Sequence, residues 1–153
     1  MTCLRAFVVF SLCVLLAACS SGPPRRVYPP QATVQELRVQ ADGQVAATLR
    51  IQNFSTVPMT FTRLQATLTL AGGEAARIDI DPSLTVGPGS NELVRHVFAP
   101  TPAVKSALDA AFSGSRPVRY SLAGRIADSE GRDDEFNYDS ALAPVPGLPG
   151  VLR

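Results

Sequence analysis

The stretch MTFTRLQATLTL, Met59 to Leu70, alternates apolar and polar residues, but in two phases. Met59 and Phe61 hold odd positions, whereas Leu64, Ala66, Leu68 and Leu70 hold even ones. Successive side chains of a strand point to opposite faces, so an unbroken strand would send part of this apolar set to water. One extra residue absorbed near Thr62 and Arg63, as a β-bulge does, brings both halves to one side. The pattern therefore predicts a long bulged strand with one buried face.

The same period recurs on either side. Val45, Ala47, Leu49 and Ile51 share a face against Thr48, Arg50 and Gln52, and Val118, Tyr120, Leu122, Gly124 and Ile126 share one against Arg119, Ser121 and Arg125. Turn residues at Asp42-Gly43, Gly72-Gly73, Asp81-Pro82, Gly87-Pro88-Gly89 and Gly131 divide the chain into strands near 33–40, 44–54, 59–70, 74–80, 90–98, 117–128 and 133–142. Seven short strands with half-buried alternation predict an all-β, antiparallel sandwich. One segment breaks the pattern. Thr101-Pro102 can cap and open a helix through AVKSALDAAF, with Val104, Ala107, Leu108, Ala111 and Phe112 on one stripe and Gly114 ending it.

The N-terminus reads differently. Arg5 precedes an apolar run from Ala6 to Ala18, the anatomy of a secretory signal. At ~1.5 Å per residue, such a run covers only about 20 Å as helix, short of a hydrocarbon core of about 30 Å. Leu16-Ala17-Ala18-Cys19 resembles the bacterial lipobox. That resemblance implies a diacylglyceryl thioether on the Cys19 sulfur, cleavage between Ala18 and Cys19, and acylation of the freed amine with a chain such as palmitate. Residues 1–18 are then a cleaved signal. Cys3 and Cys13 leave with it, so Cys19 is the sole remaining cysteine and no internal disulfide is expected. Two or three acyl chains anchor a protein essentially permanently, since each buried methylene contributes about 0.8 kcal/mol. The membrane, reached through covalent lipid on Cys19, is thus an expected partner. Ser20 follows Cys19 where an Asp would resemble an inner-membrane retention signal, which favours the periplasmic face of the outer membrane.

Residues 19–31 form the lipidated N-terminus and a tether. SSGPPRRVYPPQ, Ser20 to Gln31, carries four prolines and no apolar period, and at ~3 Å per residue it could span about 35 Å. Arg25 and Arg26 within it could meet anionic lipid or remain a solvated pair. The domain proper is placed at 32–143, and the C-terminal ALAPVPGLPGVLR ends in a Pro- and Gly-rich tail, 144–153. With Leu142, Val145, Leu148, Val151 and Leu152 interspersed, the tail could dock on a partner or on the sandwich, or stay loosely ordered. Removing Arg5 from 14 Lys and Arg leaves 13 bases against 13 acids. Such a balance offers no field for nucleic acid, which is not an expected partner.

Candidate chemistry is sparse. His96 is the only histidine, on a strand face with Val94 and Phe98, without a second histidine for a metal site or a thiol for a nucleophilic pair. DSEGRDDEF, Asp128 to Phe136, offers Asp128, Glu130, Asp133, Asp134 and Glu135 to a hard cation, but lacks EF-hand spacing and reads as a solvated hairpin tip. Asn53-Phe54-Ser55 matches a glycosylation triplet by accident of a strand end. No cofactor and no catalytic activity are expected.

The segments IQNFS, VPMTFTRLQATLTLAGG and VGPGS, in that order, resemble the late-embryogenesis-abundant (LEA) type 2 family, also called the water-stress and hypersensitive-response domain. The likeness spans about Thr33 to Leu142. The family commonly ends a strand in Asn-Pro-Asn; here Asn53 is kept, while Phe54 and Ser55 replace the other two. The resemblance implies an immunoglobulin-like or fibronectin-III-like β-sandwich and a link to desiccation and stress rather than to a reaction. It carries over no catalytic residues. The expected function is a membrane-anchored binding or scaffolding module of the cell envelope, acting on an envelope protein. The alternative is a carrier of lipid or another apolar ligand, which would need a cavity near Phe61, Phe98 and Phe112.

Overall fold

The computed structural model describes residues 24–153; the expectations for residues 1–23, with Cys19 and its cleavage site, lie outside the described residues. In chain order the elements are β1 (Gln31–Val39), β2 (Val45–Gln52), β3 (Met59–Leu70), β4 (Gly73–Ile80), β5 (Leu84–Val86), β6 (Asn91–Phe98), α1 (Pro102–Gly114), β7 (Val118–Asp128), β8 (Asp133–Leu142) and β9 (Val151–Leu152). One sheet runs β6-β2-β1-β9 and the other β4-β3-β7-β8, with β5 also on β3. All the pairings are antiparallel, and the two sheets enclose one apolar core. This is the sandwich with one short helix that the alternation predicts.

The bulge falls where the phase change places it. Opposite β7, Phe61 pairs with Asp128 and Arg63 with Ala127, leaving Thr62 as the extra residue. Phe61, Leu64 and Leu68 are consequently all fully buried. The bulge coincides with a change of neighbour, since Met59–Phe61 pair with β5 and Leu64–Leu70 with β4. Each expected strand is present, its ends shifted by two residues at most. Two short strands, β5 and β9, bring the described strands to nine rather than about seven. Three residues between two turns, and two at the end of a Pro- and Gly-rich run, are too few to display a period.

The helix follows its cap. Thr101 Oγ1 accepts the Val104 N–H at 3.3 Å, and Pro102 opens the first turn. Val104, Leu108 and Ala111 are buried, with Ala107 and Phe112 half-buried beside them. Gly114 does not make the turn out of the helix; Ser115 does, at φ 48° and ψ 40°, and Arg116 N–H returns to Ala111 O at 3.0 Å. Because α1 follows Phe98, whose register partner Val45 starts β2, it sits at the sandwich end opposite Asn53.

Two contacts fix the sheets. The Tyr120 hydroxyl lies 3.3 Å from both the N–H and the carbonyl oxygen of Val34 across the core, at the place where β1 bulges between Val34 and Glu36. It thereby gives the backbone beside the bulge a polar partner from the opposite sheet. On β7, a methyl group at Gly124 would come within 2.0 Å of Gln65 O and 2.6 Å of Ala66 Cα. Only glycine permits β7 to lie this close to β3 there.

The C-terminal segment, left open between docked and loose, is docked on the sandwich itself. Val151 and Leu152 are buried and pair with Arg38 and Leu37 of β1. Arg153 bonds Glu36 at 2.7 Å, and its N–H bonds Ala143 O at 2.9 Å. The folded unit therefore reaches beyond 32–143 at both ends.

Candidate functional site

The end of the sandwich away from α1 carries a connected set of polar contacts that starts from Asn53. Its side chain is fully buried, with Nδ2 2.8 Å from Val57 O and 3.1 Å from both Val86 O and Gly87 O, while Oδ1 accepts the Ser55 N–H at 2.8 Å. The last contact is an Asx turn, the local role expected for an Asn at a strand end. The other contacts tie the β2–β3 connection to the turn before β6, reinforced by Asn53 N–H to Ser90 O at 2.9 Å. With Nδ2 engaged and buried, the Asn-Phe-Ser triplet presents no free amide.

The segment read as an extended tether lies against this turn. Tyr28 N–H donates to Ser55 Oγ at 2.9 Å, Arg26 N–H to Thr56 Oγ1 at 2.8 Å, and Thr56 N–H to Arg26 O at 2.9 Å. Thr56 Oγ1 also reaches Pro24 O at 2.9 Å, and Pro30 is buried. Residues 24–30 are thus part of the folded unit and not a free spacer. Proline fixes an extended backbone whose N–H and carbonyl groups are free to pair laterally, a pairing that no periodic signal announces.

Arg25 is exposed, as a solvated arginine would be, but it also has a partner of its own. It pairs with Glu130 at 3.0 Å, on the β7–β8 turn. The acidic run around that turn is distributed among arginines. Asp128, buried, accepts the N–H groups of Glu130 and Arg132 at 2.9 and 3.0 Å and pairs with the Arg132 guanidinium. Arg125 bridges Asp133 and Glu135 at 2.9 and 2.8 Å. The carboxylates cap and staple a hairpin instead of converging, and no group of three metal-ligating side chains occurs among the described residues.

His96 sits half-buried on β6, its ring stacked 6.4 Å from that of Phe98. Burial lowers its pKa, which favours the neutral imidazole at neutral pH. The three phenylalanines of the expected cavity are separated in role. Phe61 is fully buried in packed core, Phe98 is buried at the far end of β6, and Phe112 is half-exposed. Phe112 instead lines an open cleft of about 600 Å³ with Ser115, Val145 and Leu148, between α1 and the C-terminal loop.

No family model matches the chain, and no curated protein matches it. Among solved structures the chain is similar to a crystal structure of a protein from Archaeoglobus fulgidus, at 14% identity and TM-score 0.41, over 78% of this chain and 98% of that one. It is similar to a solution structure of an Arabidopsis thaliana protein at 12% identity and TM-score 0.49, over 85% and 87% of the two chains. A solution structure of a proposed late embryogenesis abundant (LEA) protein is similar at 15% identity and TM-score 0.47, over 94% of this chain and 87% of that one.

Proposed function

We infer that the chain is a lipid-anchored, non-catalytic interaction module of the bacterial cell envelope, held through acylated Cys19 at the periplasmic face of the outer membrane and serving stress or desiccation tolerance through a LEA type 2 sandwich. The observation that carries this reading is the fastening of Pro24–Tyr28, which begins five residues after Cys19, to the Asn53–Thr56 turn. A folded unit that begins this close in sequence to its anchor is suited to present a surface at a limited distance from a membrane. The stress role rests on the resemblance of IQNFS, VPMTFTRLQATLTLAGG and VGPGS to that family.

The carrier reading has its own support in the cleft beside Phe112, which falls in the size range of small-molecule sites. Affinity capture of the native lipidated protein from membranes, with proteins and lipids both identified, separates the two. A stoichiometric envelope protein that persists in a Phe112→Ala variant supports the interaction module. A bound apolar molecule that is lost in that variant supports the carrier.

A further inference from the structure

Among the described residues, three of the six large apolar side chains that stand exposed, Val27, Tyr28 and Phe54, at 37%, 45% and 44% exposure, lie on the segments that meet at the sandwich end receiving the N-terminal segment. Val27 and Tyr28 lie on the fastened segment itself, and Phe54 neighbours Ser55, whose Oγ accepts the Tyr28 N–H. The backbone around them is fastened, Arg26 and Tyr28 to Thr56 and Ser55 and Ser55 in turn to Asn53, so the three side chains are carried on held segments that form one rim.

The sequence sets how far this rim can stand from an anchor on Cys19. Pro24 is five residues beyond Cys19, and five residues at full extension reach at most about 18 Å. The span shrinks from the ~35 Å of a free tether because residues 24–30 are committed to the fold. The opposite end, with α1 and Leu148, lies a full strand length further away.

We propose that the Val27–Tyr28–Phe54 rim rests on the headgroup and glycerol layer of the same phospholipid bilayer that holds the Cys19 acyl chains, fixing the sandwich upright with α1 and the C-terminal cleft pointing away. The proposal rests on the lipid anchor inferred above. Amphipathic and aromatic side chains partition into this layer, where one end is apolar and the other wet. Charge is not the driving term. Arg25 and Arg132 pair with Glu130 at 3.0 and 2.8 Å, and Arg132 also with Asp128, which balances two of the three arginines at this end and leaves Arg26 as one cation. Contact is therefore expected on zwitterionic phosphatidylcholine, and to persist in high salt.

The chain contains no tryptophan, so a single introduced one reports its own surroundings. The full-length lipidated Phe54→Trp and Leu148→Trp proteins are reconstituted into phosphatidylcholine vesicles whose acyl chains are brominated near the headgroup, and intact mass spectrometry records the acylation of each. The expected result is quenching at least about threefold stronger for position 54 than for position 148, with a blue-shifted emission only at 54. Acylated protein with equal or absent quenching at 54 overturns the orientation while leaving the anchor intact. A blue shift at 54 without quenching also overturns it, since a second protein copy would then be covering the rim. Protein without acyl chains overturns the anchor and the orientation together.

Discussion

Ser55 Oγ accepts the backbone N–H of Tyr28 at 2.9 Å and lies 3.3 Å from the Tyr28 carbonyl, so one buried hydroxyl serves both backbone groups of a residue 27 positions away. With Thr56 paired to Arg26, it converts a proline-rich leader into a structural edge.

Ser55→Ala should therefore release the leader while the sandwich remains folded. Leaving a paired backbone group without its partner costs about 1–3 kcal/mol. Limited trypsin digestion is expected to cut after Arg25 and Arg26 several-fold faster in the variant, while a urea melt followed by tyrosine fluorescence still shows a cooperative transition of the core, lowered by no more than about 1–3 kcal/mol. Equal cleavage rates would mean that the leader is held by something other than Ser55.

Tyr120→Phe removes the hydroxyl that lies 3.3 Å from both backbone groups of Val34. Loss of stability of about 1–3 kcal/mol is expected in urea, because the β1 bulge loses its polar partner in the core. Tyr138→Phe, on a half-buried ring 6.3 Å from Tyr120, should change stability by less than about 0.5 kcal/mol.

Three substitutions on β7 test its phase. Leu122 is fully buried, and Leu122→Ala should cost about 2–5 kcal/mol. Arg119 points outward, and Arg119→Ala should cost less than about 0.5 kcal/mol. Gly124→Ala adds a single methyl group, yet should cost about 1–3 kcal/mol or more, because the group meets the β3 backbone and not a movable side chain. Equal losses at 119 and 122 in urea melts would contradict the strand phase.

Most of the architecture is legible in the sequence because long half-buried strands announce themselves by period. The two phases of Met59–Leu70 disclose a bulge, and Thr101-Pro102 discloses a helix start. What escapes is whatever lacks a period. β5 and β9 are too short, the bulge at Gln35 occurs where Val34 and Leu37 simply look irregularly spaced, and the close approach at Gly124 depends on how near β3 lies. The candidate site divides the same way. Asn53 is readable as a turn residue, but its reach to Val86 and Gly87 is made by the return of β5. The fastening of residues 24–28 uses backbone groups, which carry no side-chain signature.

The C-terminal strand should respond to acid. Bonding to Arg153 first, opposed by burial and aided by Arg38, holds the Glu36 carboxyl below the usual carboxylate range. A depressed folded pKa stabilises the fold above the unfolded value, and that contribution is lost as pH falls through the folded one. Hydrogen exchange at Val151 and Arg153 amides is expected to quicken as pH falls below about 4, after correction for intrinsic rates, while Leu122 stays protected. Glu36→Gln should show the faster exchange already at neutral pH. Unchanged protection across this range would mean that packing of Leu152 alone holds the strand.

The lipid anchor is the claim on which the placement of the whole molecule depends. Intact mass spectrometry of the protein purified from membranes, with N-terminal peptide fragmentation, addresses it directly. The expected product begins at Cys19 and carries two or three acyl chains, and Cys19→Ser yields an uncleaved or unlipidated form. A mature protein beginning elsewhere, or beginning at Cys19 without acyl chains, would contradict it.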